Sequence, residues 1–301
     1  MSPQTYTLST RMPDRWSGGP VRPQVEDFNQ QLRNSNCRHL LILVHGFNNS
    51  AAAVKASYDL LLANLEELFR RSRSAPDAVA LFHWPGDVAG LGSAAAYPYD
   101  IPQACQSAQR LADYLRAFPR ASTAGAMKIS LIGHSLGCRL ILEMLANQLS
   151  TALALNIDVI SLMAPAVAVP MVEGAANLAV SVRSPRRILK CYSRQDWVLW
   201  GAFPAGQMTA FRFGQETGPY REFVGSGLPQ AIGLYGNPTA MGIPVETTNG
   251  HGDYWGDIDV ANQYSAEIDP TFRTLPPPRR EPTRRLPQAT DLGFRELPTR
   301  D

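Results

Sequence analysis

The sequence predicts an α/β protein built on a doubly wound, mostly parallel sheet with helices on both faces. Three observations carry that prediction. Short apolar runs alternate with segments whose apolar residues recur every three or four positions, which is the order of successive βαβ units. The runs themselves, such as Leu40-Leu41-Ile42-Leu43-Val44, are apolar without interruption, as strands buried on both faces are. Finally, Lys128 to Ile132 leads through Gly133-His134-Ser135-Leu136-Gly137 directly into helical spacing, a strand–turn–helix junction.

Each element can be justified in turn. Tyr6 and Leu8 fit an edge strand, after which Pro13, Gly18, Gly19, Pro20 and Pro23 break regular structure. His39 to His45 is the first strong strand. Val54, Tyr58, Leu61, Leu62, Leu65 and Leu68 give one inward stripe on a helix from about Ala52 to Arg71. Val79 to Trp84 reads as a strand closed by Pro85-Gly86, and a Gly/Ala-rich loop suited to lining a site leads to about Tyr99. A helix follows over Pro102–Phe118, then the strand at Lys128, a helix from Leu136 to about Leu149, and a strand over Asn156–Met163. Met171 to Val182 reads as a short helix, Arg187 to Tyr192 as a strand and Asp196 to Phe203 as a helical turn. Glycines and prolines across 204–242 deny a long helix there, while Phe211, Phe213, Tyr220, Phe223 and Tyr235 mark a packed excursion, a lid or loop bordering the site. Ile243 to Thr247 is the last strand and Asp257 to Ile268 the last helix. The resulting division is an N-terminal extension over 1–36, a main domain over 37–270 and a Pro/Arg-rich tail over 271–301.

Composition narrows the function. With 28 basic and 26 acidic residues the net charge is +2, which supplies no field for nucleic acid. The tail from Leu275 holds six arginines, but four acidic residues lie among them and aromatic interleaving is lacking, so nucleic acid is not an expected partner there either. Cys37, Cys105, Cys138 and Cys191 are scattered without CxxC spacing and read as free thiols. There is no metal-ligand cluster, no apolar stretch long enough to span a membrane and no leader-like N-terminus. The expectation is a cytoplasmic protein with no metal or other cofactor and a small-molecule partner; oligomeric state is not legible.

The chemistry concentrates at Gly133-His134-Ser135-Leu136-Gly137. A serine between glycines at a strand-to-helix turn fits a nucleophile elbow, which lifts the hydroxyl above the sheet edge and aims helix-terminal N–H groups at it. Four segments, Leu43-Val44-His45-Gly46-Phe47-Asn48, Phe82-His83-Trp84-Pro85-Gly86, Leu131 to Gly137 and Tyr192-Ser193-Arg194-Gln195-Asp196, together resemble the α/β-hydrolase superfamily. More narrowly they resemble a bacterial branch of serine hydrolases known as domain of unknown function 900. The similarity spans roughly residues 38–260. It implies a Ser, acid, His triad in that chain order at the carboxyl edge of the sheet.

Spacing tests the implication from the residues alone. A serine hydroxyl needs an imidazole to take its proton, and the imidazole needs a partner to fix its tautomer. Of the five histidines, His251 alone lies well after Ser135, in a glycine-flanked loop behind the last strand. His45 and His83 read as braces for loops near the site, His39 as structural, and His134 as too close in the chain to face Ser135. Asp196, just past a predicted strand, is the favoured acid, with helix capping as its rival role and little carboxylate capacity for both. Asp158 opens its strand and belongs at the wrong edge, while Asp253 and Asp257 are too near His251. The N–H groups of Phe47 and Leu136 are the expected oxyanion donors, and Asn48, Trp84 and Trp197 the candidate substrate contacts, with core packing an open alternative for the tryptophans. The reading is ester or thioester hydrolysis of a small acyl substrate. A non-catalytic binding protein of the same fold, or haloperoxidase or amidase chemistry without a cofactor, are the alternatives.

Overall fold

A computed structural model describes residues 3–10, 37–47, 49–86, 93–116, 127–149, 155–173, 177–183, 185–214, 216, 230–235 and 242–274. Asn48 and the Pro/Arg-rich tail from residue 275 lie outside the described residues, as does most of 217–241. In chain order the elements are β1 (Gln4–Ser9), β2 (His39–Val44), α1 (Ala51–Asn64), α2 (Glu66–Arg71), β3 (Ala78–His83), α3 (Ser93–Arg116), β4 (Lys128–His134), α4 (Leu136–Leu149), β5 (Asn156–Met163), β6 (Arg187–Tyr192), α5 (Phe203–Arg212), α6 (Ile232–Tyr235), β7 (Ile243–Glu246) and α7 (Ile258–Ile268). The strands form one sheet in the order β1-β3-β2-β4-β5-β6-β7, and every pairing is parallel.

Helices cover both faces, as a parallel sheet requires. On one face α3 packs between α4 and α5; on the other α7 lies under β5 and β6 with α1 beside it. Leu40, Leu41, Ile42, Leu43 and Val44 are fully buried, which explains why β2 shows no polar alternation. Each such side chain contributes about 1.5–3 kcal/mol on leaving water. Strand order reverses around β2, with β3 on one side and β4 on the other, so the crevice above the carboxyl ends of β2 and β4 is the place where such sheets bind ligands.

Four boundaries differ from the sequence expectation, each for a physical reason. The helix expected over 52–71 divides at Leu65, which caps α1 and opens α2 at φ −91°, ψ 0°. Helix α3 begins at Ser93 and runs through Pro98 and Pro102, because Tyr97, Ile101, Ala104, Ala108 and Leu111 keep one buried stripe; that burial outweighs the backbone bonds the prolines remove. Where a helix was expected over 171–182, the described residues show two short 3-10 turns, Val169–Met171 and Asn177–Ala179, while 174–176 lie outside the described residues; Pro170 presets φ for the first turn. The glycine-rich stretch after Pro204 holds the ten-residue helix α5. Gly206 is part of its reason, since a Cβ there would come within 2.7 Å of the Tyr97 ring, so the glycine is what lets α5 close on α3.

One buried ion pair ties that excursion down. Arg139 on α4 meets Glu216, just beyond α5, through two hydrogen bonds of 2.8 and 2.5 Å, with Glu143 at 3.4 Å and Gln207 also bonded to Glu216. Arg139 and Glu216 are both buried, and the Tyr97 hydroxyl bonds Gln207 at 3.4 Å. Farther along, residues 230–232 join 167–169 through Val169 N–H to Gln230 O and Ile232 N–H to Val167 O. The described part of 204–242 is therefore packed against the body.

Candidate active site

The turn between β4 and α4 is tight because three glycines permit it. A Cβ at Gly133 would sit 2.6 Å from Ile141 Cδ1, one at Gly137 would sit 2.3 Å from His45 O, and one at Gly46 would sit 2.9 Å from Ser135 Cβ. Ser135 itself takes the left-handed conformation, φ 53°, which costs a non-glycine residue about 1–2 kcal/mol. Its backbone is held from both sides: Ser135 N–H donates to Met163 O at 2.9 Å, and Ser135 O accepts from Cys138 N–H at 3.0 Å and Ala166 N–H at 3.2 Å. Ala164, at the end of the neighbouring strand, is the other non-glycine residue with positive φ among those described, at 44°.

Residue 251 reaches this turn from a short loop after β7. Gly250 N–H bonds the Asp253 carboxylate at 3.0 Å, and a 3-10 turn over Asp253–Gly256 follows. The Ser135 hydroxyl lies 2.9 Å from His251 Nε2, and His251 Nδ1 lies 2.8 Å from Asp196 Oδ2. With the ring proton on Nδ1, Nδ1–H donates to the carboxylate and Nε2 accepts from the serine. Asp196 follows β6 and is fully buried, while the His251 side chain is 18% exposed and Ser135 6%.

The two roles weighed for Asp196 turn out to be compatible, which corrects the expectation that one would exclude the other. Oδ2 faces His251, and Oδ1 accepts the Leu199 N–H at 3.0 Å. Trp200 N–H also donates to Asp196 O at 3.0 Å, opening a π-helical turn over Val198–Ala202 that runs into α5. A carboxylate has acceptor sites on both oxygens, so the cap and the imidazole do not compete.

The remaining acids and histidines sort by position. Asp158 sits at the amino end of β5, paired with Arg186 and 3.9 Å from Lys128. Asp257 caps α7, and Asp253 closes its own loop. His45 Nδ1–H donates to Gly46 O at 2.7 Å and Nε2 accepts the Trp84 N–H at 3.2 Å, while the Trp84 indole N–H returns to His45 O at 2.8 Å. The two rings stack at 5.4 Å. Trp84 is fully buried in this brace, so its apolar face meets protein rather than an open crevice.

The other candidates divide likewise. Trp197 is 57% exposed beside Asp196. Phe47 is half-buried, its ring edge-on to Tyr97 at 5.8 Å. Leu136 is buried and opens α4, so its N–H stands at the unsatisfied end of a helix. All four cysteines are free, with burial pushing the Cys191 thiol up to about 12. Among the described residues no group of three or more His, Cys, Asp or Glu could hold a metal, and no helix is long and apolar enough to cross a membrane.

Sequence reasoning passed over two contributors. Gly46 appeared only within the strand-end turn, although it is what lets that turn approach Ser135. His134 was set aside because it adjoins Ser135, yet its Nε2 lies 2.6 Å from the carbonyl oxygen of His251. The available signal was the crowding of histidines at strand ends, at positions 45, 83 and 134.

Residues 22–215 match the model of a family described as alpha/beta hydrolase of unknown function (DUF900). The chain belongs to that family. Membership supports hydrolase chemistry in general, and the matched span ends before His251. Several solved structures are similar to this DUF900 chain. One is a gene product of Listeria innocua, at 10% identity and TM-score 0.43, covering 77% of this chain and 94% of its own. Another is the mouse alpha/beta hydrolase domain-containing protein 10, at 10% identity and TM-score 0.40, covering 79% and 90%. A third is a hyperthermophilic esterase from the archaeon Pyrobaculum calidifontis, at 13% identity and TM-score 0.38, covering 83% and 92%. No curated protein sequence matches this one.

Proposed function

We propose that this DUF900 chain is a serine hydrolase that cleaves an ester or thioester through an acyl-enzyme. The observation that carries the reading is the unbroken hydrogen-bonded line from Ser135 Oγ through both ring nitrogens of His251 to Asp196 Oδ2, at 2.9 and 2.8 Å, with the serine on a left-handed turn. In this reading His251 Nε2 takes the hydroxyl proton as Ser135 Oγ attacks the acyl carbon. The proton then passes to the leaving oxygen or sulfur, and the acyl group stays on Ser135. Water then attacks the acyl carbon and gives its proton to the same nitrogen; the acyl–Oγ bond breaks, the acid leaves, and Nε2 returns that proton to Ser135 Oγ. Asp196 keeps the ring proton on Nδ1 and balances the imidazolium while it lasts.

Negative charge grows on the carbonyl oxygen during each attack. The N–H groups of Leu136 and Phe47 are the proposed donors to it, each worth about 3–4 kcal/mol in the transition state. Leu136 supports this by opening α4 immediately after Ser135, and Phe47 by following Gly46, which packs on the serine turn. Trp197 and Asn48 are the proposed substrate contacts, with residues 37–270 as the unit that carries the site. The four free thiols favour a reducing compartment, so a cytoplasmic location belongs to the same proposal.

Fluorophosphonate labelling of wild type, Ser135→Ala and His251→Ala, followed by an ester and thioester panel of graded acyl length, tests the reading. Labelling of wild type alone is the expected result. A folded wild type that neither labels nor turns over any member of the panel would favour a binding protein of this fold instead.

A further inference from the structure

Four of the five histidines lie in one chain of ring contacts behind the candidate site. His45 and His83 meet at 6.0 Å, His45 and Tyr58 at 6.5 Å, Tyr58 and Trp255 at 5.1 Å, Trp255 and His134 at 5.9 Å, and His134 and His251 at 5.0 Å. Within it His134 holds a singular place. It is 5% exposed, and it is wrapped by the loop that carries residue 251: Tyr254 and Trp255 pack on its ring, and its Nε2 bonds His251 O at 2.6 Å. A carbonyl oxygen only accepts, so the proton of the His134 ring sits on Nε2. Burial first, and the neighbouring His251 second, push the His134 imidazole down to about 3, so the ring is neutral and keeps that single proton at ordinary pH.

We propose that His134 is a positioning residue for His251: its ring N–H holds the backbone of residue 251 while the hydroxyl of Ser135, next in the chain, meets that residue's ring. The proposal rests on the reading of Ser135 and His251 as nucleophile and base. Its logic is that of a two-point clamp. Loop 247–252 is glycine-bearing and lies outside regular strands and helices, so by itself it would let the imidazole wander. Because the two clamping groups belong to consecutive residues, the last of β4 and the left-handed Ser135 that follows it, covalent geometry fixes their backbones relative to each other, and the imidazole takes its place relative to Ser135 before any substrate arrives. The groups facing His134 from packed elements are His251 and Tyr254 from the loop, with the Asp196 carboxylate acting from behind His251.

Two variants separate the donor from the packing. His134→Gln puts an amide nitrogen where the ring Nε2 lies, and His134→Phe keeps a ring without a donor. On p-nitrophenyl butyrate the Phe variant is expected to lose about 10- to 100-fold in kcat with KM within about twofold, and the Gln variant to stay within about threefold of wild type. The hydrogen-bonded Nδ1 proton of His251 should give a far-downfield proton resonance in the resting protein, lost or broadened in the Phe variant and kept in the Gln variant. Wild-type kcat with an unchanged resonance in a folded Phe variant overturns the proposal. So does an equal loss of kcat in both variants with the resonance intact in both, which would assign the effect to ring packing. A wild type that neither turns over the ester nor labels at Ser135 overturns the hydrolase reading instead, and the resonance still decides whether His134 holds residue 251.

Discussion

The sheet carries a Ser–His pair toward each end of its strands, and the two agree in their distances to within 0.1 Å. At the carboxyl edge Ser135 Oγ lies 2.9 Å from His251 Nε2, and at the amino edge Ser130 Oγ lies 2.9 Å from His39 Nε2. Each ring also has a partner on Nδ1, the Asp196 carboxylate at 2.8 Å for His251 and the Ser74 carbonyl at 2.9 Å for His39. What differs is the surroundings. Ser130 is fully buried within β4, where the register with β5 shifts between Ile129 and Leu131, while Ser135 stands on a left-handed turn at a helix start. A neutral carbonyl fixes the tautomer as well as a carboxylate does, but it cannot balance an imidazolium. Hydrogen-bond distance thus identifies a paired serine and histidine, and the backbone conformation, the helix end and the charged third partner are what set apart the pair proposed for chemistry.

The sharpest way to break the comparison is to remove each hydroxyl in turn. Ser135→Ala is expected to lower ester turnover by at least about 10⁴-fold. Ser130→Ala should leave turnover within about twofold and cost about 1 kcal/mol of stability, read in a denaturant melt, because it removes a buried hydrogen bond. Next comes the third partner. Asp196→Asn should lower kcat by about 10³–10⁴-fold while the chain stays folded, since the amide oxygen can still accept the Leu199 N–H but the tautomer of His251 is reversed.

Smaller effects sharpen the contrast in stability. Ser135→Gly relieves the left-handed strain and should raise stability by about 1 kcal/mol as it abolishes turnover, whereas Ser130→Gly, in a strand, should lower it by about the same amount. A further contrast lies in pH dependence. Burial lowers the pKa of His39, and that of His134 to about 3. The folded chain therefore keeps these rings neutral, while the unfolded chain protonates them near pH 6.5. Stability is complete above about pH 6.5 and is lost on acidification, by up to about 1.4 kcal/mol per pH unit for each ring until its folded pKa is reached. His39→Gln should flatten melting temperature against pH on acidification below about pH 6.5, with turnover unchanged.

Much of this was legible in the chain. The continuous apolar runs set the strands because a parallel sheet is buried on both faces, and Ser135, Asp196 and His251 stood out because their types and order fit one chemistry. Residues whose part depends on distant partners were not legible. Helix α5 passes through Gly206 because of Tyr97, more than a hundred positions earlier. His134 could be judged only against its chain neighbour, because nothing local reveals that the carbonyl of residue 251 returns to it. For Asp196 the acid and the helix cap were weighed as rivals, where the carboxylate makes both contacts, since a sequence names a carboxylate without saying where each oxygen points.

The charge pair between Arg139 and Glu216 sets a rule for anyone rebuilding this protein. Glu216 stands only four residues beyond the end of α5, so a shortened or transplanted excursion that omits it would take from the buried Arg139 guanidinium both of its bonds to Glu216 and leave Glu143 at 3.4 Å, at a cost of about 3–5 kcal/mol. An excursion exchanged between relatives must therefore travel with its own acid, or the recipient must give up the arginine in the same step.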